Sequence, residues 1–319
     1  MDLRVKAKIG GSNHRLQFHS LSISQEFFQP TRILLVLGYD RKDYDQLSDK
    51  VRNSWHGDEL EIEISDVQNS SSKKYKGIIF NIRLTEDEVH IISYSSDFLM
   101  KNAKKYKGYT DINALGIVKD IVSKYSIKSD IKSPSYSQNF KFFQQYNETD
   151  WDCLLRLAEL DGCVFYDNGE TFVYSDKPAL GGKLVLGEQE LSDAYFDCSI
   201  NNTKFRGAPY NFLKNSDVSG SEIVAKPANA PSNQFSKSSF DSSKKVLGSD
   251  SDEFFNYTVN EKQQFEKHLL KKQLFNTGSM VKFYGKTNNH TLCVGKIING
   301  TKHKLLKEDM MVYKMNATF

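Results

Sequence analysis

The sequence is poor in cysteine and proline and has no long apolar segment. Four cysteines in 319 residues, Cys153, Cys163, Cys198 and Cys293, are too few for a disulfide framework, so we expect buried free thiols and a reducing compartment. The longest aliphatic stretch, 33–37, is far shorter than the roughly 20 residues of a membrane-spanning helix. The start of the chain also lacks the apolar segment of a secretory signal. We therefore expect no signal peptide, no membrane segment and a location in the cytosol.

The charges are nearly balanced. Lysine and arginine number 43 against 40 acidic residues, which gives a formal net charge of +3. A nucleic-acid-binding domain is usually strongly basic, so binding of nucleic acid is not predicted as a recognition function. The local basic run 101–107 could contact phosphates, but a solvated linker is the preferred interpretation.

No pattern of a known catalytic or metal site is present. The seven histidines are scattered, and neither a G-x-S-x-G elbow nor a P-loop occurs. A cluster of acids could suggest a glycosidase, but its members fit the cap and surface positions of a predicted helix, where Arg156 is placed to pair with Asp152. The cluster consists of Glu148, Asp150, Asp152, Glu159 and Asp161. The sequence thus predicts no catalytic residue, no cofactor, no metal ligand and no enzyme.

The periodicity of the apolar residues predicts a mainly β protein of the α+β class in three parts. Residues 1–96 alternate as strands and are assigned to a first β-barrel. Residues 97–178 form an inserted α/β region with helices at about 111–125 and 149–161. Residues 179–319 return to strands and are assigned to a second β-barrel, with a Ser-rich loop at about 227–252 and a helix at about 261–274.

An internal repeat suggests that the two barrels are related. Gly57 and Gly278 each precede a strand with apolar residues three and five positions later. After a polar loop, the chain resumes at Gly77 in the first copy and at Gly295 in the second. Two unrelated antiparallel hairpins can share such a pattern, so the repeat by itself leaves the relation open.

The segment 145–166 carries a specific motif. It reads Q-Y-N-E-T-D-W-D-C-L-L-R-L-A-E-L-D-G-C-V-F-Y and resembles the signature of VgrG and phage late-control D proteins. The matching positions are Gln145, Tyr146, Glu148, Asp150, Trp151, Leu154, Arg156, Leu157, Glu159, Gly162 and Tyr166. Cys153 departs from the family, which usually has phenylalanine there.

The resemblance implies the structural hub of a contractile injection machine. Such hubs are ring-forming homotrimers in which each chain supplies two related barrels, so that a three-fold spike can dock on a six-fold Hcp-like or tail tube. The implied partners are the tube hexamer, a spike or needle protein or domain, and baseplate wedge proteins. The implied location is a cytoplasmic assembly that is exported on firing. No needle region follows Phe319, so the spike is expected as a separate chain or as further sequence.

Two other classes stay open from the residues alone. The abundance of tyrosine and phenylalanine, 16 and 21 residues, is compatible with a carbohydrate-binding module. A wall-degrading tail-associated protein is the enzymatic alternative, although no lysozyme-like pattern is present. The sequence does not distinguish type VI secretion, an extracellular particle and a phage, and it does not identify a cargo.

Overall fold

The computed structural model describes residues 3–13, 16–40, 42, 44–51, 55–66, 71–135, 137, 139–177, 180–207, 210–211, 216–217, 223–224, 234–248, 251–253, 262–300, 302–306 and 309–319. Its largest element is an eight-stranded antiparallel sheet that curls into a half-barrel. In chain order the strands are β1 (Leu3–Ile9), β2 (Ser12–Asn13), β3 (Gln17–Glu26), β4 (Gln29–Gly38), β5 (Glu59–Asp66), β6 (Ser71–Leu84), β7 (Glu88–Tyr94) and β23 (Lys314–Thr318). They lie in the order β2-β1-β5-β6-β7-β4-β3-β23.

One face of this sheet is apolar and the other is charged. Alternation along β5 places Leu60, Ile62 and Ile64 in the core with no exposed surface. On the opposite face, Lys76 of β6 contacts Glu61 at 3.2 Å, and the hydrogen bond from Lys76 lowers the pKa of Glu61. The predicted alternation of this strand is therefore confirmed.

The inserted region packs two helices against a two-stranded ribbon and a small sheet. The ribbon pairs β8 (Lys104–Asn113) with β10 (Asn139–Thr149), and the helices are α2 (Ala114–Ser123) and α3 (Asp150–Asp161). The small sheet contains β9 (Ser129–Ile131), β11 (Val164–Asp167) and β12 (Phe172–Ser175). A short helix α1 (Tyr44–Lys50) and a 3-10 helix (Ser96–Lys101) lie earlier in the chain.

The C-terminal region consists of small sheets and two helices. The strands are β13 (Leu180–Val185), β14 (Ser192–Cys198), β15 (Phe205–Gly207), β16 (Tyr210–Asn211), β17 (Ser216–Asp217), β18 (Ile223–Val224), β19 (Ser251–Asp252), β20 (Val281–Lys286), β21 (Lys296–Asn299) and β22 (Asp309–Met311). The helices are α4 (Gln234–Val246) and α5 (Lys262–Ser279). Parallel pairing joins β13 to β21, and antiparallel pairing joins β14 to β20.

The last strand departs from the predicted division of the chain. Residues 314–318 are assigned by sequence to the second barrel, but β23 pairs with β3 and completes the first sheet. The two strands exchange backbone hydrogen bonds, and Met315 adds its side chain to the apolar core of that sheet. Pairing between residues so distant in sequence depends on the folded chain and has no local signal. The remaining domain boundaries stay predictions.

The Ser-rich stretch is another departure. Residues 227–233 and 249–250 lie outside the described residues, but 234–246 form α4 where a loop is predicted. Phe240 is buried against Met280 and Val281, and the Ser243 hydroxyl donates to the carbonyl oxygen of Ser239 at 2.7 Å. One buried aromatic side chain therefore anchors a helix of low overall hydropathy, and the buried Ser243 hydroxyl has its hydrogen-bond partner within the helix. Deletion of this helix would therefore expose the buried side chains of Met280 and Val281.

Helix ends and cysteines show smaller differences. The first predicted helix begins at Ala114 rather than at about 111, because β8 continues to Asn113 and the Asn113 side chain caps the helix. Helix α5, predicted at about 261–274, runs to Ser279, five residues beyond its predicted end. Three cysteines are buried as expected, but Cys198 is exposed.

Candidate functional site

The motif segment forms the end of β10, all of α3 and the start of β11. Thr149 caps α3: its hydroxyl accepts from the Asp152 backbone N–H at 3.0 Å, and the Asp152 carboxylate accepts from the Thr149 backbone N–H at 3.2 Å. At the other end, Gly162 takes the left-handed conformation with φ 61°. Both predicted helix ends are thereby confirmed. Because a threonine or serine cap and a C-terminal glycine act locally, the sequence alone locates this helix.

Asp150 is the centre of a buried polar network at the start of α3. Its carboxylate accepts hydrogen bonds from Lys105, from Tyr125 and, at 2.8 Å, from the Gln145 amide. Burial acts to raise the pKa of Asp150, but these three hydrogen bonds outweigh it and hold the pKa below its ordinary value. The ionised carboxylate thus joins β8, the turn after α2 and β10 to α3. Because these hydrogen bonds tie three other elements to the start of α3, Asp150 acts as a structural anchor.

Arg156 ties the middle of α3 to the ribbon. Its guanidinium donates to the Gln144 carbonyl oxygen at 2.9 Å and pairs with the Glu148 carboxylate, and it lies 4.2 Å from the centre of the Phe143 ring. The predicted partner, Asp152, is instead occupied by the capping box. Arg156 pairs with Glu148 rather than with Asp152 because the bulge in β10 between Tyr146 and Glu148 brings the Glu148 side chain over the helix.

The apolar motif residues are divided between two cores. Trp151, Leu154 and Leu157 are buried with the ribbon and α2. Tyr166 is buried instead in the core of the eight-stranded sheet. Two motif residues point away from both: Glu159 and Tyr146 are exposed. Cys153, the position that departs from the family, is fully buried, and burial raises the pKa of its thiol.

The four repeat glycines are not equivalent in the structure. Gly57 and Gly295 have positive φ values of 87° and 84°, whereas Gly77 lies inside β6 and Gly278 lies in the last turn of α5. Moreover, β5 and β6 pair with each other, whereas β20 and β21 are hydrogen-bonded to strands of different sheets. The glycine spacing therefore does not identify matching positions.

Gly295 nevertheless has a specific structural role. A side-chain carbon at this position would overlap the Tyr166 hydroxyl, and the left-handed backbone disfavours any other residue. The backbone N–H of Gly295 donates to the Val312 carbonyl oxygen at 2.8 Å. A predicted repeat glycine and a predicted motif tyrosine thus meet at one contact between the C-terminal region and the first core.

A second buried polar cluster was not found by sequence reasoning. The Thr31 hydroxyl donates to the Asp167 carboxylate at 2.9 Å, and the Thr31 backbone N–H donates to the Ser95 hydroxyl at 2.9 Å. Ser95 in turn donates to Asp97. Burial raises the pKa of Asp97 to about 6 and, with the charge of Asp97, that of Asp167 to about 7. These residues come from β4, β11 and the start of the 3-10 helix, which are far apart in the chain, and they carry no local pattern.

The described residues contain no group of three or more His, Cys, Asp or Glu side chains that could hold a metal ion. None of the described helices is long and apolar enough to cross a membrane. The polar clusters around Asp150 and Asp167 join separate elements of the fold, so we interpret the role of the motif residues as structural.

The comparisons with known proteins agree with a structural role for the motif residues. Residues 48–191, which contain the whole motif, match the family model described as phage tail baseplate hub (GPD). The match confirms the resemblance to VgrG and late-control D proteins over this segment of the chain. The matched family is one of structural tail proteins. No curated protein sequence matches the chain.

Solved structures share the fold over nearly the whole chain. A 43 kDa tail protein of prophage MuSo2 from Shewanella oneidensis is 14% identical with a TM-score of 0.64, covering 99% of this chain and 94% of that one. A tail protein from Neisseria meningitidis MC58 is 12% identical with a TM-score of 0.64, covering 100% and 93%. The E. coli c3393 protein, described as a type VI secretion component similar to the T4 tail proteins gp27 and gp5, is 12% identical with a TM-score of 0.61, covering 98% and 73%.

Proposed function

We propose that this chain is the structural hub of a contractile injection machine, in which three copies form a ring between a three-fold spike and a six-fold inner tube. The observation that carries the proposal is the match of 48–191 to the baseplate hub family, together with the specific motif inside that segment. The shared fold with tail proteins over the whole chain supports it.

The arrangement of the motif residues suits a protein that transmits force. The buried carboxylate of Asp150 and the guanidinium of Arg156 fix α3 to the ribbon, and Tyr166 and Gly295 fix the C-terminal region to the first core. These contacts make one connected body of elements that are far apart in sequence. A hub that transmits force between tube and spike needs such cross-connections, because relative motion of its parts would absorb the force.

The charged outer face of the half-barrel is the proposed tube-like surface. Lys8 and Lys76 flank Glu61 across three neighbouring strands, at 3.8 Å and 3.2 Å. Such a face is well solvated and has no large excess of one sign, which suits the wall of a wet channel. In the proposed ring, the small sheets of the C-terminal region take the place of the second barrel in each subunit, so that three chains offer six tube-like parts to a six-fold partner.

The partners in this proposal are an Hcp-like or tail-tube hexamer, a spike or needle protein, baseplate wedge proteins and two further copies of the chain. Assembly takes place in the cytoplasm, and the ring leaves the cell as part of the fired particle. No catalytic step and no cofactor is involved.

Light scattering of the purified chain tests the proposal. Three copies of a 36.5 kDa chain give about 110 kDa, and this mass is the expected result. A chain that stays at the mass of one copy at high concentration, and that also fails to join purified tube and spike proteins in a mixture, would contradict the hub function.

A further inference from the structure

The small sheet of the inserted region ends in a free edge at β9. In the order β11-β12-β9, β9 is the last strand, and no described strand pairs with its other side. The Lys128 carbonyl oxygen accepts a hydrogen bond from β12 and the Lys132 N–H donates one to β12, both at 2.9 Å. Because backbone groups alternate in direction along a strand, the N–H and C=O groups of Ser129 and Ile131 face away from β12.

These outward backbone groups are open to a further strand. In the part of the chain that the structure describes, the main chain of Ser129 and Ile131 forms no hydrogen bond. Ser129 is exposed and Ile131 is half-buried. Proteins often block such an edge with a proline or a bulge, but β9 contains no proline and pairs with β12 in regular register. Its three residues therefore present an unblocked row of donors and acceptors.

A groove lies beside this edge, between β9 and the C-terminal end of α2. Its volume is about 370 Å³, and both Ser129 and Ile131 line it. Val122, Ile127 and Ile131 supply an apolar wall, and Lys119 lies at its polar rim. An extended chain that bonds to β9 would place every second side chain on the face of the sheet that borders this groove. The edge supplies backbone hydrogen bonds and the groove supplies a place for side chains.

Two lysines next to the groove lack an acidic partner. Lys119 lines the groove and Lys128 directly precedes β9, and both side chains are exposed. Neither forms an ion pair within the described ranges of the chain. The nearby acids are already paired with other lysines: Asp120 at 2.8 Å and Asp130 at 3.4 Å. The surplus of positive charge at this edge is complementary to a carboxylate on an incoming segment.

We propose that β9 accepts a short, acidic, extended segment of a partner protein as an added strand. An apolar side chain of that segment occupies the groove, and a carboxylate lies beside Lys119 or Lys128. Because only three residues of edge are open, the site suits a tail or loop of the partner rather than the edge of a whole sheet. The inference goes beyond the proposed hub function and does not depend on it.

A fluorescent peptide tests the added strand. The probe is a six-residue peptide of alternating glutamate and valine, blocked at both ends, which has the acidic and apolar side chains that the site requires. We expect its fluorescence anisotropy to rise and saturate as the wild-type chain is added, at concentrations up to about 1 mM. One control peptide is N-methylated at every residue and cannot donate backbone hydrogen bonds; a second has lysine in place of glutamate. Both should bind at least about tenfold more weakly.

Ser129→Pro and Ser129→Ala form a matched pair of variants. The Ser129 N–H faces away from β12, so proline removes an outward donor and obstructs an added strand without breaking a hydrogen bond to β12, whereas alanine keeps the donor. We expect Ser129→Pro to weaken binding of the glutamate peptide about tenfold and Ser129→Ala to leave it unchanged. Lys119→Glu should reduce the preference for the glutamate peptide over the lysine peptide. Circular dichroism of each variant establishes that it is folded.

Several results would overturn the proposed strand addition. They are a wild-type chain that does not bind the glutamate peptide, equal binding of that peptide and its N-methylated form, and equal binding by the two Ser129 variants. A mass by light scattering that Ser129→Pro alone changes would also overturn it, because the edge would then be a contact between copies of this chain. None of these results bears on the hub function, which is tested by the mass of the wild-type chain and by its joining of tube and spike proteins.

Discussion

The contact between Gly295 and Tyr166 gives the sharpest prediction for stability. An alanine at position 295 must adopt a left-handed backbone with φ near 84°, which costs roughly 1–2 kcal/mol for a residue with a β-carbon. The added carbon would also overlap the Tyr166 hydroxyl in a buried setting, and such overpacking costs typically about 1–3 kcal/mol. We therefore expect Gly295→Ala to lower the free energy of unfolding by about 2–5 kcal/mol.

Gly278 supplies the matched control. This glycine stands at the predicted equivalent position of Gly57, yet it lies in a helix and no atom would meet its added carbon within 4 Å. Gly278→Ala should leave stability unchanged or raise it by up to about 1 kcal/mol. Urea unfolding followed by circular dichroism measures both variants.

A double-mutant cycle then isolates the cause. Tyr166→Phe removes the hydroxyl oxygen, the atom nearest to the added carbon, so the loss caused by Gly295→Ala should be smaller in the Tyr166→Phe background than in the wild-type chain. Equal losses of unfolding free energy in the two backgrounds would show that the effect of Gly295→Ala arises from backbone strain alone. Equal effects of Gly295→Ala and Gly278→Ala would refute the reasoning as a whole.

Three further predictions concern the two buried clusters and the core of α3. Leu154→Ala should cost about 2–5 kcal/mol in urea unfolding, because Leu154 is fully buried; a cost below about 1 kcal/mol would contradict a folding role. Burial raises the pKa of Asp97 to about 6, so ionisation of this carboxyl lowers the free energy of unfolding as the pH rises from about 4 to 6. Asp97→Asn should therefore stabilise the protein at pH 8 on the order of 1–3 kcal/mol. The same dependence of the unfolding free energy on pH in the variant and the wild-type chain would contradict this prediction. Asp150 has a lowered pKa, so its contribution is present at neutral pH and lost on acidification; Asp150→Asn should destabilise at pH 7 and progressively less as the pH falls below the ordinary carboxyl pKa of 3.8, whereas a pH-independent loss would contradict the ionised anchor.

Elements with a local signal could be predicted from the sequence. The alternation in β5 and the start and end of α3 depend on residues close together in the chain, so Thr149 and Gly162 indicate the helix ends without reference to the rest of the molecule. The burial of Trp151 and Leu154 follows from helical spacing in the same way.

Long-range features could not be predicted. The pairing of β23 with β3 and the cluster around Asp97 and Asp167 join segments that are far apart in the chain. The partner of Arg156 was wrong because the choice between Asp152 and Glu148 depends on a bulge in β10. Helix α4 was missed because a single buried apolar residue, Phe240, anchors an otherwise polar segment.

The repeat illustrates the limit of pattern matching. Glycines 57 and 278 are each followed by a strand with the expected apolar residues, but one lies in a turn with positive φ and the other in a helix. Sequence spacing alone does not distinguish a glycine required by its backbone conformation from one in an unstrained helix.

Cryo-electron microscopy of the assembled particle tests the central claim most directly. With a tag inserted after the last residue of this chain, the hub function predicts three copies in one ring between the end of the inner tube and the base of the spike. Density for the tag elsewhere in the particle, or a particle that assembles a complete tube and spike without this chain, would contradict it.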